Sequence, residues 1–263
     1  MVAASRFLSA LAVLPSRANC ARLVVSLHGS LAFTGEGHAT DRAVFMGLMG
    51  FVPETLDPDQ VEALVAHLQD TQSIAVPGIG PVPFDTDNDL TFDYGTPLPG
   101  HANGMIFTAS DPAGSILLRK VWYSIGGGFV VCENELSGLF TPKDNAAEYV
   151  PYPFISAVEM LRMGRTSGLS IAAMKEANER TRHGANLEPG LERLQAVMND
   201  CIDRGLQQDG ILPGGLSVRR RACELHQQLL RERATNRAQP HATTDWLFVY
   251  AMAVNEENAA GGR

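Results

Sequence analysis

Apolar positions change their spacing along this chain, and the change divides it in two. Residues 1–14 carry Phe7, Leu8, Leu11 and Leu14 on one stripe, which predicts an amphipathic helix stopped by Pro15. Residues 22–28 alternate as Arg-Leu-Val-Val-Ser-Leu-His and predict a strand. A helix is expected over 42–49, ended near Gly50, and another over 58–68, with Asp57 as cap and Pro58 in its first turn. Short strands then alternate with Gly/Pro turns at 73–76, 82–84 and 90–92. A hairpin over 105–109 and 116–124 turns at Asp111-Pro112-Ala113-Gly114. Beyond Pro151 the period becomes helical, with helices expected over 156–166, 170–182, 191–204, 216–233 and 245–254. The fold class is therefore an α+β N-terminal domain, a small mixed sheet with helices, followed by the start of an all-α domain. The expected division is 1–140, a polar linker at 141–150, and 151–263.

Between the first strand and the helix at 42 lies Gly29–Asp41, with three glycines in nine residues. Such a stretch suits a backbone that bends sharply or approaches another group closely. His38 and Asp41 are side chains able to move protons near neutral pH. Thr40 or Asp41 equally suits a helix cap. A second unusual stretch, His101-Ala102-Asn103-Gly104-Met105, opens a strand. A third, Tyr123–Phe129, holds Gly126, Gly127 and Gly128, which fit a bulge, a sharp bend, a plain hinge, or amides turned towards an anion.

Composition narrows the function classes. With 263 residues, 45% of them hydrophobic, the chain can bury a substantial core. Its net charge of −8 leaves no basic footprint for nucleic acid, and Arg219-Arg220-Arg221 is too short to make one. No run of apolar residues is long enough for a membrane span. Cys20, Cys132, Cys201 and Cys223 are widely spaced, with no CxxC pair, so a reduced, cytoplasmic setting is expected. A pyridoxal-phosphate lyase would need a Schiff-base lysine, and Lys120, Lys143 and Lys175 sit in no convincing site.

The three stretches carry a resemblance. Gly29–Ala43 is similar to the Gly-Ser-Leu-Ala-x-Thr-Gly-x-Gly-His-Gly-Thr-Asp-x-Ala block of the bacterial iron–sulfur-dependent L-serine dehydratases, with Ala39 in place of a glycine. His101–Met105 resembles that family's His-Pro-Asn-Gly-Met, with Ala102 in place of proline, and Tyr123–Phe129 its Tyr-Ser-Ile-Gly-Gly-Gly-Phe. Pro213-Gly214-Gly215-Leu216 and Val254–Arg263 extend the likeness over essentially the whole chain. The first half is also similar to the small regulatory domain of one class of phosphoglycerate dehydrogenases.

The resemblance implies conversion of L-serine to pyruvate and ammonia by a [4Fe–4S] cluster acting as Lewis acid. It implies a homo-oligomer in full-length form. It makes His38 and Asp41 candidates for proton transfer, and Thr40, Asn103 and the Gly126–Gly128 backbone candidates for binding substrate. His101 is a weaker candidate that could simply shape its turn. The family's Ser-Ser-Ser-His-Thr motif is absent from this sequence, and none of the four cysteines occupies a cluster-ligand position. The chain therefore reads as an internal fragment whose alternative role is to bind an amino acid or anion, or to dock to another chain, without turnover.

Overall fold

The computed structural model describes residues 1–140, 149–212, 217–235 and 243–260. Helix α1 (Val2–Ala12) buries Phe7, Leu8 and Leu11 of the expected stripe, with Ala3 and Ala4; it ends short of Leu14, which is half-buried outside the helix. Strand β1 (Arg22–Gly29) follows, then a short helix α2 (Ser30–Thr34) and helix α3 (Thr40–Leu48). Asp57 accepts a hydrogen bond from the Asp59 amide and starts a 3₁₀ turn, which leads into α4 (Val61–Thr71). Strands β2 (Ser73–Val76) and β3 (Gly80–Pro83) form a separate ribbon. Strands β4 (Leu90–Asp93), β5 (Asn103–Ser110), β6 (Ile116–Gly126) and β7 (Phe129–Cys132) join β1 in a mixed sheet ordered β4-β1-β5-β6-β7. Only the β1–β4 pair is parallel.

The core lies on one face of this sheet. Alternation puts Leu23, Val25 and Leu27 on that face, and register sets them opposite Ala109, Phe107 and Met105. Phe7 of α1 packs on Phe107, with ring centroids 5.4 Å apart. Arg6 spans the sheet's far edge. Its guanidinium lies 4.5 Å from the Trp122 ring centroid, donates to the Val130 carbonyl at 3.0 Å and meets Glu135 at 2.5 Å. The backbone amide of Cys132 also donates to Glu135, and with Arg6 it holds that carboxyl below the usual range. Glu135 belongs to α5 (Glu133–Phe140), a helix that ends where the expected linker begins.

The remaining helices are α6 (Ala157–Ser167), α7 (Ile171–His183), α8 (Leu187–Gly205), α9 (Ala222–Ala234) and α10 (Thr243–Ala259). By compactness, 1–140 groups with 201–263, while 141–200 forms a second unit. In the second unit Ser156 and Ser170 cap α6 and α7 through their hydroxyls. Asn178 clasps the Tyr152 peptide from both sides, at 2.8 and 2.7 Å.

Helix α9 departs most from its expected span of 216–233. It begins at Ala222 because Glu256 of α10 accepts from the Arg221 and Ala222 amides, supplying a cap that lies 34 residues away. Pro213–Leu216, Gly261–Arg263 and the linker at 141–148 lie outside the described residues. The neighbouring carboxylate, Glu257, is 1% exposed and meets Arg220 at 2.6 Å. Arg204 Nε sits 2.7 Å from the same carboxylate, and its terminal nitrogens form a fork on Asp59 at 2.7 and 2.5 Å.

Two tests follow from this ion network. Arg220→Met leaves Glu257 buried without its closest cation and should destabilise the chain by about 3–5 kcal/mol in urea unfolding. An unchanged midpoint would show that the pair is not structural. Arg204 holds the Asp59 carboxyl below its ordinary 3.8. The stabilisation is therefore present above about pH 4 and fades as pH falls through the folded-state value. Asp59 is largely exposed, so the effect should stay under about 1 kcal/mol. Asp59→Asn should remove it from the acid limb and leave the neutral-pH slope unchanged.

Candidate active site

The glycine-rich stretch is no open loop. Gly29 ends β1 at φ +58°, and the next amide, Ser30, donates to the Ala102 carbonyl at 2.8 Å. A Cβ on Gly29 would lie 2.3 Å from that same oxygen, so only glycine permits the approach. The chain then winds into α2 and a 3₁₀ turn at Glu36–His38. Thr34 Oγ1 donates to the Ser30 carbonyl, and the Thr40 amide returns to Gly35. Neither Thr40 nor Asp41 caps α3. Ala39 occupies the cap in the left-handed region, at φ +52°, and makes no side-chain cap bond.

The second stretch lies against the first. Asn103 pairs with Gly29 across the β1–β5 ladder. Its own amide donates to His101 Nδ1 at 3.1 Å, which gives His101 a turn-forming part and makes Nδ1 its acceptor nitrogen. The Asn103 side-chain amide donates to the Ser124 carbonyl at 3.2 Å, joining the second stretch to the third. In the third, Gly127 and Gly128 have φ of +60° and +80°, as the central pair of a type I′ hairpin turn requires. Gly126, at φ +93°, sits where the β6–β7 register shifts. Of the alternatives open in the sequence, a sharp bend with a bulge accounts for all three glycines.

These stretches border a cavity of about 280 Å³, just below the usual ~300–1,000 Å³ range for small-molecule sites. Its lining includes the polar residues His38, Thr40 and Ser124, Gly128, Met1 with the N-terminal amine, and the apolar Leu31, Met105 and Phe107. His38 Nδ1 lies 2.9 Å from the Thr34 carbonyl, which accepts only. The neutral ring therefore carries its proton on Nδ1 and keeps Nε2 unprotonated, with no hydrogen-bond partner among the described residues. Asp41 borders a different cavity, of about 320 Å³, together with Asp87, Thr86 and Phe92. Asn103 lines neither cavity; its side-chain amide is engaged on Ser124, which lines the first. Gly126 and Gly127 are exposed on the hairpin.

Two groups escape notice in the sequence. Ser124 is quoted there only as part of a motif. His28 is buried inside β1, with Nε2 2.8 Å from Ser26 Oγ and Nδ1 3.5 Å from Asp93. Ser26 and His28 share a face by simple alternation, but Asp93 joins them only through the parallel β1–β4 pairing. Among the described residues no group of three or more His, Cys, Asp or Glu converges on a metal position, and all four cysteines are free. These residues therefore do not fit a [4Fe–4S] cluster, which needs converging thiolates.

Comparison with known families matches residues 1–135 to the serine dehydratase beta chain and 166–263 to the serine dehydratase alpha chain. The chain belongs to the serine dehydratase family. It is 42% identical to an L-serine dehydratase of Streptomyces coelicolor, over 91% of this chain and 51% of that protein. Identity is 38% to L-serine dehydratase 2 of Escherichia coli, over 92% and 52%, and 33% to an L-serine dehydratase of Helicobacter pylori, again over 92% and 52%. The chain thus spans about half the length of the curated relatives it matches. The beta-chain match takes in all three glycine-bearing stretches and the cavity they border. No helix among the described residues is long and apolar enough to cross a membrane.

The contact at Gly29 gives the test for this part of the serine dehydratase fold. Gly29→Ala combines a disfavoured φ with an overlap against backbone that has little room to move. It should lower stability by at least about 2 kcal/mol in chemical denaturation. Gly126→Ala, whose Cβ meets nothing within 4 Å, should cost about 1 kcal/mol, the local φ penalty alone.

Proposed function

We propose that this chain is part of an L-serine ammonia-lyase, acting on L-serine to give pyruvate and ammonia. Residues 1–140 form its beta-chain-like domain, 141–150 the linker, and 151–263 part of its alpha-chain-like domain. The observation that carries this reading is the meeting of the three motif stretches at one small cavity, with the His38 imidazole on its wall.

Dehydration of serine needs a base for the α-proton, donors for the carboxylate and an electrophile to help hydroxide leave. His38 supplies the base through Nε2, with Nδ1 anchored on Thr34 so that the ring keeps its orientation. Thr40 and the Gly128 amide hold the carboxylate from the cavity wall, and the exposed Gly126 and Gly127 amides extend that donor edge. Asn103 acts one step back, fixing the Ser124 segment on which the hairpin stands. Asp41 is the second proton-transfer candidate, acting from the adjoining cavity on the first turn of α3. The electrophile is not among these residues. We place the enzyme in the cytoplasm as a homo-oligomer; its free thiols support a reducing compartment.

The test is a chimera joining this chain to the C-terminal half of the Streptomyces coelicolor relative, assayed for pyruvate. His38→Ala should lower kcat by about 10²–10⁴-fold with little change in KM. Asp41→Asn should show a smaller loss. Normal turnover in His38→Ala removes His38 from the mechanism. Calorimetric binding of L-serine by a chimera that forms no pyruvate would favour a binding module over a lyase.

A further inference from the structure

On the face of the sheet opposite the core, β1 presents Val24, Ser26 and His28 by alternation. His28 is buried there. Its neighbour across the β1–β5 ladder is Gly104, and Leu98 occupies the space that a side chain at 104 would need. On its other side stands Asp93, its partner in the parallel β1–β4 pair. Asp93 Oδ1 accepts the Gly95 amide at 2.8 Å, which fixes the carboxylate, and Oδ2 lies 3.5 Å from His28 Nδ1. A carboxylate only accepts, so the neutral ring carries its proton on Nδ1. Nε2 then accepts from the Ser26 hydroxyl, 2.8 Å away. Ser26 itself is only half-buried.

The polarity of this chain of contacts is that of a nucleophile, its base and the group that orients the base. The Asp93 contact is longer than a made hydrogen bond, and such contacts commonly tighten only when substrate is bound. We propose that Ser26, His28 and Asp93 form a second reactive site, which cleaves esters of short apolar carboxylic acids. Val24 and Ile106, half-buried on the same face, give the acyl group an apolar bed beside Ser26. Thr91, exposed and paired with Ser26 across β4, offers its hydroxyl to the developing oxyanion. Ser26 Oγ bonds to the ester carbonyl carbon as its proton passes to His28 Nε2. The imidazolium returns that proton to the alcohol oxygen as the ester C–O bond breaks. Water, losing its proton to Nε2 in the same way, then releases the acid and restores Ser26. The His38 cavity lies on the other face of the sheet, where Met105 and Phe107 line it, so the inference does not rest on the ammonia-lyase reading.

The experiment incubates the full chain with p-nitrophenyl butyrate. Release of p-nitrophenol is followed by absorbance, and the acyl group is located by peptide mass spectrometry after an acid quench. Release faster than from the chain unfolded in urea is expected, with butyryl on Ser26. Ser26→Ala, which removes one half-buried hydroxyl, should abolish both signals. His28→Gln should slow acylation about 10²-fold, the worth of a positioned base. Asp93→Asn should cost less than His28→Gln, because that carboxylate is exposed to water and already screened. Should His28→Gln fail to fold by circular dichroism, Ser26→Ala decides. Three outcomes overturn the proposal: release no faster than from the unfolded chain, butyryl on other residues with Ser26 unmodified, or Ser26→Ala as reactive as the original. In each of these, Ser26 and Asp93 do no more than satisfy a buried imidazole. The assay reads no pyruvate, so its failure leaves the ammonia-lyase reading where the chimera puts it.

Discussion

The carbonyl of Ala102 occupies the space that a side chain at position 29 would need, and the site is built outward from that contact. It lets β1 and β5 pair to the end of the ladder, where Gly29 closes β1 and Asn103 opens β5, instead of splaying apart. With the strand ends held together, Ser30 starts α2 on the Ala102 oxygen, and the short helical turns carry His38 and Thr40 back to the cavity. Asn103 continues the chain of contacts to Ser124 and so to the β6–β7 hairpin. Three stretches separated by about 95 residues of sequence become one small surface because one backbone oxygen and one side-chain amide link them.

Ala39 shows how a local rule is broken at such a place. An alanine in the left-handed region costs about 1–2 kcal/mol. Glycine there would relieve that strain, but it would lose a methyl that is 6% exposed and would gain freedom in the unfolded chain. Those opposing effects are each about 0.5–1 kcal/mol. The terms nearly cancel, so the turn before α3 keeps its shape with alanine where a glycine is the expected residue.

Elsewhere charge does the positioning. Glu256 and Glu257 are consecutive on α10, and both are buried. One caps α9 through backbone amides, and the other holds Arg220 and Arg204. Arg204 passes the connection on to Asp59. These pairs set where helices start and meet more than they add stability, since desolvation offsets much of their attraction. Arg6 plays a similar part for α1, whose apolar stripe alone would not fix its rotation against β7.

The sequence by itself determined the type of those elements that bury an apolar face of local period: much of the stripe of α1, the alternation of β1 and the Asp57 cap stand where the pattern puts them. It also marked the three motif stretches, since glycine runs and a nearby histidine are visible without any fold. Only the tertiary structure decided how they act. It turned Gly29–Asp41 from a loop into stacked helical turns, placed His38 and Thr40 on one cavity and Asp41 on another, and joined Asp93 to His28. It also moved the start of α9 to Ala222. Each of these depends on a partner far along the chain, such as Ala102, Ser124, β4 or Glu256, and no local periodicity encodes which distant group will satisfy a given backbone amide or carbonyl.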